Sequence, residues 1–274
     1  MNLTSWRRAR YFLGGNTPLT DDAVNKRKFL SWIPAISRKI EEYLNRDLEL
    51  KSHTEYFDTL PKTIEYPVRN FPITVLTSVK SDSTGEFTGS ETTESDTYIG
   101  SQERSICLQT PVIPAKRGLE VVYTGGLAAS GTQSTFTIEN EGSEAFVAGV
   151  FAEGQTSGAM GYVISKTLTT IVIEVLYGRF EVGEQIAGSA TETGSKTADQ
   201  TADIASADVR CIAEEYTDLT VACELEIRYM NDHRGDYENF STSRGSQSRR
   251  ANKFEHEFLP EVASILDRYR NIHV

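Results

Sequence analysis

"EAFVAGVFAEGQTSGAMG" spans residues 144–161 and "GRFEVGEQIAGSATETGSKT" spans residues 178–197. Set 34 positions apart (180 − 146 = 34), the two stretches agree where the chain has least freedom. Phe146 stands three before Gly149, and Phe180 three before Gly183; Gly154 and Gly188 each follow five later. A Phe can plug a small core, and a Gly permits a turn with positive φ. The pair therefore reads as two copies of a short β unit. The surrounding residues, 129 to about 201, are rich in Gly, Ser, Thr and Ala, contain no Pro or Cys, and show no helical period. "YVISKTLTTIVIEVLYG" reads as two strands around a turn near Lys166, with Ile171, Ile173, Val175 and Tyr177 alternating with Val172, Glu174 and Leu176. The flanks, "GGLAASGTQS" and "GSKTADQTADIAS", are linker-like. Residues 129–202 are thus expected to form an inserted all-β domain with two short repeats.

Outward from this module the pattern changes. Residues 1–20 read as an N-terminal arm ending in "GGNTPLTDD", a cluster of breakers and helix-start residues. A helix is expected over about 21–45, with Leu30, Ile33, Ile36, Ile40, Tyr43 and Leu44 on one face. Pro34 interrupts it, and Ser31 can cap a second piece. Strands follow in "PITVLTSVKSD", "RSICLQT" and "LEVVYTGG", the first with Val75, Thr77 and Val79 on one side; residues 80–96 read as a loop. From about 203 to 232 a helical period returns. Leu219, Cys223, Ile227 and Met230 form one stripe, and Val221, Leu225 and Tyr229 a second. A helix with two apolar faces must bury both, so one face needs a second partner, from this chain or a neighbouring subunit. Residues 233–258 read as a polar strap, and Pro260 opens a last helix with Val262, Ile265, Leu266 and Tyr269 as its stripe.

Composition narrows the function. The chain has 274 residues, 38% hydrophobic and 24% charged. No apolar run approaches the roughly 18 residues that span a bilayer, so no membrane partner is expected. Three cysteines, Cys107, Cys211 and Cys223, are widely spaced and read as buried free thiols. The net charge of −11 argues against a general duplex-gripping surface; it reads as solubility alone, or as a wall that DNA passes without sticking. His53, His233, His256 and His273 lack metal-ligand spacing, and no phosphate loop, dinucleotide fingerprint or nucleophile elbow occurs. No catalytic residue, metal or cofactor is expected. Glu41–Glu42 and Glu214–Glu215 are adjacent, point apart on a helix, and read as solvated. Arg7, Arg8 and Arg10 in the arm, and Arg244, Arg249, Arg250 and Lys253 in the strap, read as solubilising linker or as docking segments for an acidic partner or DNA backbone.

The order of these parts resembles the head–tail connector (adaptor, head-completion) proteins of tailed bacteriophages. The resemblance is carried by "ISRKIEEYLNRDLELKSHTEYFDT", "IEYPVRNFPITVLTSVKSD", "LEVVYTGGL" and the "LPEVASILDRYR" ending. Its positions are Ile40, Tyr43, Leu44, Arg46, Tyr56, Pro72, Ile73, Ser78, Val79, Val121, Tyr123, Gly126, Leu259, Pro260, Val262, Leu266, Tyr269 and Arg270. The family lacks the roughly 70 residues that here separate the "Y-x-x-G" strand from the long helix; that insert resembles small virion modules with "F-x-x-G-E-x-[IV]-x-G".

The resemblance implies an α+β chain: a discontinuous helical adaptor core with a small sheet (21–128 and 203–274) carrying the β insert. It implies a non-enzymatic virion protein of the neck, assembled in the host cytoplasm. Such a protein forms a homo-oligomeric ring of twelve, docks under the portal protein, extends the DNA channel without specific DNA binding, and offers a face to the tail or stopper. Subunit contacts are then expected at Leu219, Val221, Cys223, Leu225, Ile227, Tyr229 and Met230. Portal docking is expected at Phe254, Phe258, Leu259, Val262, Ile265, Leu266, Tyr269 and Arg270. The alternative is a tail- or baseplate-associated binding module whose β insert recognises glycan or another virion protein.

Overall fold

The computed structural model describes residues 1–14, 23–89, 91–189, 196–233 and 258–270. The fold is α+β and separates into two compact units, Asn45–Ala129 and Met1–Leu44 with Ser130–Arg270.

In the Asn45–Ala129 unit, β1 (Lys51–Thr59), β7 (Ala115–Gly125), β3 (Ile73–Ser81) and β4 (Thr92–Thr93) form an antiparallel sheet in that order. β2 (Glu65–Pro67), β6 (Ser105–Leu108) and β5 (Thr97–Ile99) form a second. They share a core of Tyr66, Phe71, Ile73, Ile106, Leu119 and Val121 with their neighbours. Val75, Thr77 and Val79 do not share one environment as the alternation predicts. Register shifts between Ile73 and Val75 and between Leu76 and Ser78 turn the strand, leaving Val75 exposed and Val79 buried.

In the other unit, β8 (Gln133–Glu139), β9 (Phe151–Gly154), β10 (Met160–Lys166), β11 (Thr170–Tyr177), β12 (Gln185–Ser189) and β13 (Lys196–Val209) close a barrel in the order β10-β11-β8-β13-β12-β9. Phe146 and Phe180 lie in its core beside Phe136, Ile171 and Ile173, and Gly149 and Gly183 turn at φ +100° and +86°. The repeat is also a symmetry of the barrel. β9 and β12 pair antiparallel with Glu153 opposite Ala187, positions separated by the repeat interval (187 − 153 = 34). Exchanging β8-β9-β10 with β11-β12-β13 returns the same ring of neighbours. A pseudo-twofold axis therefore relates two three-stranded halves.

The strand β13 runs to Val209, so the helical period expected from 203 begins only at α3 (Ile212–Glu215); Ala202 and Ile204 alternate inward instead. Cys211 and Ala213 belong to the barrel core, so α3 closes one end. Helices α1 (Trp6–Gly14), α2 (Ala23–Leu44), α4 (Thr217–Asp232) and α5 (Pro260–Leu266) complete the unit, with α4 packed on α1, α2, α3 and α5. Pro34 does not split α2. It lies on the exposed face, where water can serve the carbonyl that loses its N–H partner. The expected division at 21–128, 129–202 and 203–274 cuts the chain elsewhere than these units do, because the helices pack with the barrel.

Candidate functional site

The long helix α4 is where an assembly surface is expected, and the structure separates its two stripes. Leu219, Cys223 and Ile227 have no exposure. These three expected subunit-contact residues are interior to their own chain, a correction that follows from α4 being packed on four other helices. Val221, Leu225, Tyr229 and Met230 stay half-buried. The stripe expected for a second partner is thus partly covered and partly open.

The sequence pattern also missed two acids that α4 buries. Glu224 accepts from Arg8 Nε and Thr4 Oγ1, both at 2.8 Å, and Glu226 accepts from the Leu259 amide at 2.9 Å. Burial pushes the Glu224 carboxyl up, against the pull of Arg8. The N-terminal arginines therefore do not form a free docking arm. Arg7 bonds Glu174 at 2.6 Å and lies over the Tyr162 ring, and Arg8 also donates to the Leu176 carbonyl. Arg10 is buried, with Trp6 and Tyr11 beneath its guanidinium. α1 thus ties the barrel to α4. Glu214, expected in solvent, is buried as well. It accepts from Ser134 Oγ and the Phe180 amide, and desolvation raises its pKa.

The C-terminal segment is held by its own chain through Arg270. Val262 and Leu266 are buried; Phe258, Leu259, Ile265 and Tyr269 are half-buried. Tyr269 Oη donates to Asp218, Tyr43 Oη donates to Asp267 at 2.7 Å, and Arg270 lies over the Tyr43 ring at 4.9 Å. Val262 and Leu266, expected to dock, are therefore used internally. Phe254, Arg244, Arg249, Arg250 and Lys253, with most of the expected strap, lie outside the described residues.

Several residues that carry the resemblance meet in pairs within their own units. Tyr43 of the first motif meets Arg270 of the last. In the Asn45–Ala129 unit, Arg46 donates to the Phe71 carbonyl and stacks on its ring, and Tyr123 Oη donates to Glu55. Gly126 donates to the Pro72 carbonyl at φ +132°, where a Cβ would sit 2.4 Å from the Glu49 oxygen.

Among the described residues no group of three or more His, Cys, Asp or Glu side chains is placed to hold a metal ion. Cys107, Cys211 and Cys223 are buried free thiols, and burial pushes Cys211 up to about 11, far from a reactive thiolate. A recess in the Asn45–Ala129 unit, lined in part by Asp82, Glu94 and Ile113, has a volume of about 340 Å³. The Asp82 carboxylate is occupied by its own loop, whose Thr84 and Phe87 amides hold it below the usual carboxylate range. No helix among the described residues is long and apolar enough to cross a membrane.

No family model matches the chain, and no curated protein matches it. Among solved structures it is similar to a chain described as "Neck of empty GTA particle computed with C6 symmetry", at 12% identity and a TM-score of 0.46, covering 99% of this chain and 91% of that one.

Proposed function

We propose that the chain is a structural protein of a virion neck: a ring-forming adaptor that docks on a portal, continues the DNA channel and presents a face to the tail or stopper. The observation that supports this reading is that residues of the ordered motif segments, distant in sequence, meet in pairs within each unit. Tyr43 meets Arg270, Arg46 meets Phe71, and Gly126 meets Pro72. These meetings give the ordered motifs a packing role in each unit. The ring, of twelve copies, uses the half-open α4 residues Val221, Leu225, Tyr229 and Met230 as part of its subunit contact. The portal receives the half-buried Phe258, Leu259, Ile265 and Tyr269. Net charge of −11 keeps passing DNA from adhering.

Electron microscopy of the purified chain mixed with the portal of its own particle tests this. A closed ring stacked coaxially on the portal is expected. Portals that remain bare beside dispersed monomers would refute the reading.

A further inference from the structure

The unit of Met1–Leu44 and Ser130–Arg270 carries two exposed surfaces of opposite charge, and each has apolar side chains within it. The first is the outer face of α2. Arg27, Leu30, Ser31, Pro34, Ala35 and Arg38 recur at three- and four-residue steps and are all exposed, Leu30 by 54%. Arg27 has no carboxylate partner among the described residues. Among the described residues Arg38 has only a solvent-exposed pairing with Glu42 one turn on, of the kind that contributes little.

The second surface is the end of the barrel away from α1 and α3. Register locates it. β11 finishes near Leu176, whose carbonyl receives Arg8, and begins at Thr170 opposite Thr137. The β10–β11 turn and the end of β8 therefore share the far end. Leu168 in that turn is 89% exposed, the largest value among the exposed large apolar side chains, and Val147 is exposed by 53%. Glu139 and Asp203 are direct cross-strand partners, so two carboxylates of like charge face each other on one side of the sheet, an arrangement that costs stability. Among the described residues Asp203 receives only the Asn140 amide, and the nearby Lys166 is taken by Glu141 at 2.5 Å. Glu144 adds a further exposed carboxylate in the following loop.

We propose that these are the two halves of one contact: the Glu139–Asp203 end of the barrel of one copy seats on the Arg27–Arg38 face of α2 of the next. Guanidinium groups relieve the paired carboxylates, while Leu168 and Val147 cover Leu30 and Pro34. Cyclic rings larger than dimers require such a head-to-tail junction, in which two different patches of one chain are complementary. A nucleic acid would satisfy the cations of α2, yet it would leave the barrel end exposed and its repulsion unrelieved. This contact rests on the ring reading above and adds to it the surface that closes the ring.

Charge reversal tests it on the full-length chain by sedimentation velocity at low and physiological salt. Arg27→Glu with Arg38→Glu, and separately Glu139→Lys with Glu144→Lys, should each weaken self-association at least tenfold, on the order expected for lost charge pairs at an interface. Mixing the two variants at equal concentration should restore association, because each retains one native half and the reversed halves also match. Circular dichroism melts of each variant establish that it is folded before mixing. Either folded variant assembling like wild type, or a mixture of folded variants staying dispersed, would overturn the contact. So would loss of duplex-DNA retention with self-association unchanged, which would make the α2 face a nucleic-acid surface. A wild-type ring that ignores both reversals sinks this contact and leaves the ring intact; a wild type that stays monomeric in solution sinks this contact, and sinks the ring reading as well if it also adds no mass to the portal.

Discussion

Glu184 shows what a single side chain does for the barrel. Its carboxylate accepts from the Thr156, Ser157 and Glu181 amides and from Ser157 Oγ, so the second repeat holds the loop that follows β9 in the first. Replacing Glu184 by Ala leaves several part-buried donors without their acceptor and should cost about 1–2 kcal/mol, measured by urea denaturation. Val150 occupies the equivalent place in the first copy (184 − 150 = 34), which is why that copy matches the repeat less well. Glu224→Ala should cost about 3–5 kcal/mol, because it leaves Arg8 buried without its carboxylate. Glu214 gives a pH signature. Its folded-state pKa is raised by burial, so its contribution is fully present below the unfolded carboxylate value and is lost as pH rises through the folded one. Relative to Glu214→Gln, the wild-type urea midpoint should fall as pH rises from about 4 toward neutrality. A difference that does not change with pH would contradict the assignment. The repeated Phe and Gly were legible because size and φ act locally. The buried acids were not, since their partners lie in distant elements: Glu224 finds Arg8, and Glu214 finds Ser134.

At the scale of elements, helical and strand periods located most segments but not their ends or their neighbours. The α4 pattern showed two apolar stripes; it could not show which would be covered. The structure covers Leu219, Cys223 and Ile227 and leaves Val221 and Leu225 half-open. Ile227→Arg should therefore unfold the unit, whereas Leu225→Arg should shift Tm by only about 4 °C or less and still impair assembly. Calorimetry with sedimentation separates the two effects. Equal loss of Tm in both variants would mean that Leu225 belongs to the interior. The end of β13 was misread as helix because Ala, Asp and Ser between 202 and 208 carry little periodic signal. Pairing with β8 fixes it as strand. Pro34 misled in the other direction, since a proline on an exposed face need not end a helix that packs well on its opposite side.

At the scale of the molecule, motif order suggested a connector while the contacts regrouped the chain, placing α1, α2 and the terminal helices with the barrel. Arginines 7, 8 and 10 explain part of that regrouping. Charge runs read as linkers in isolation can anchor elements once aromatic rings and carboxylates face them, as Tyr162 and Glu174 face Arg7. The consequence is that excising 130–200 would take core from the helices as well as the barrel, so deletion is a poor probe of function and assembly state a better one. The account stands on identical copies closing around an axis. The mass of the species formed by the intact chain on its portal measures this directly. The account predicts a discrete complex whose added mass is a fixed multiple of the 30.5 kDa chain, twelve for the proposed ring. A solution species of single-chain mass at every concentration, with no mass added to the portal, would contradict it.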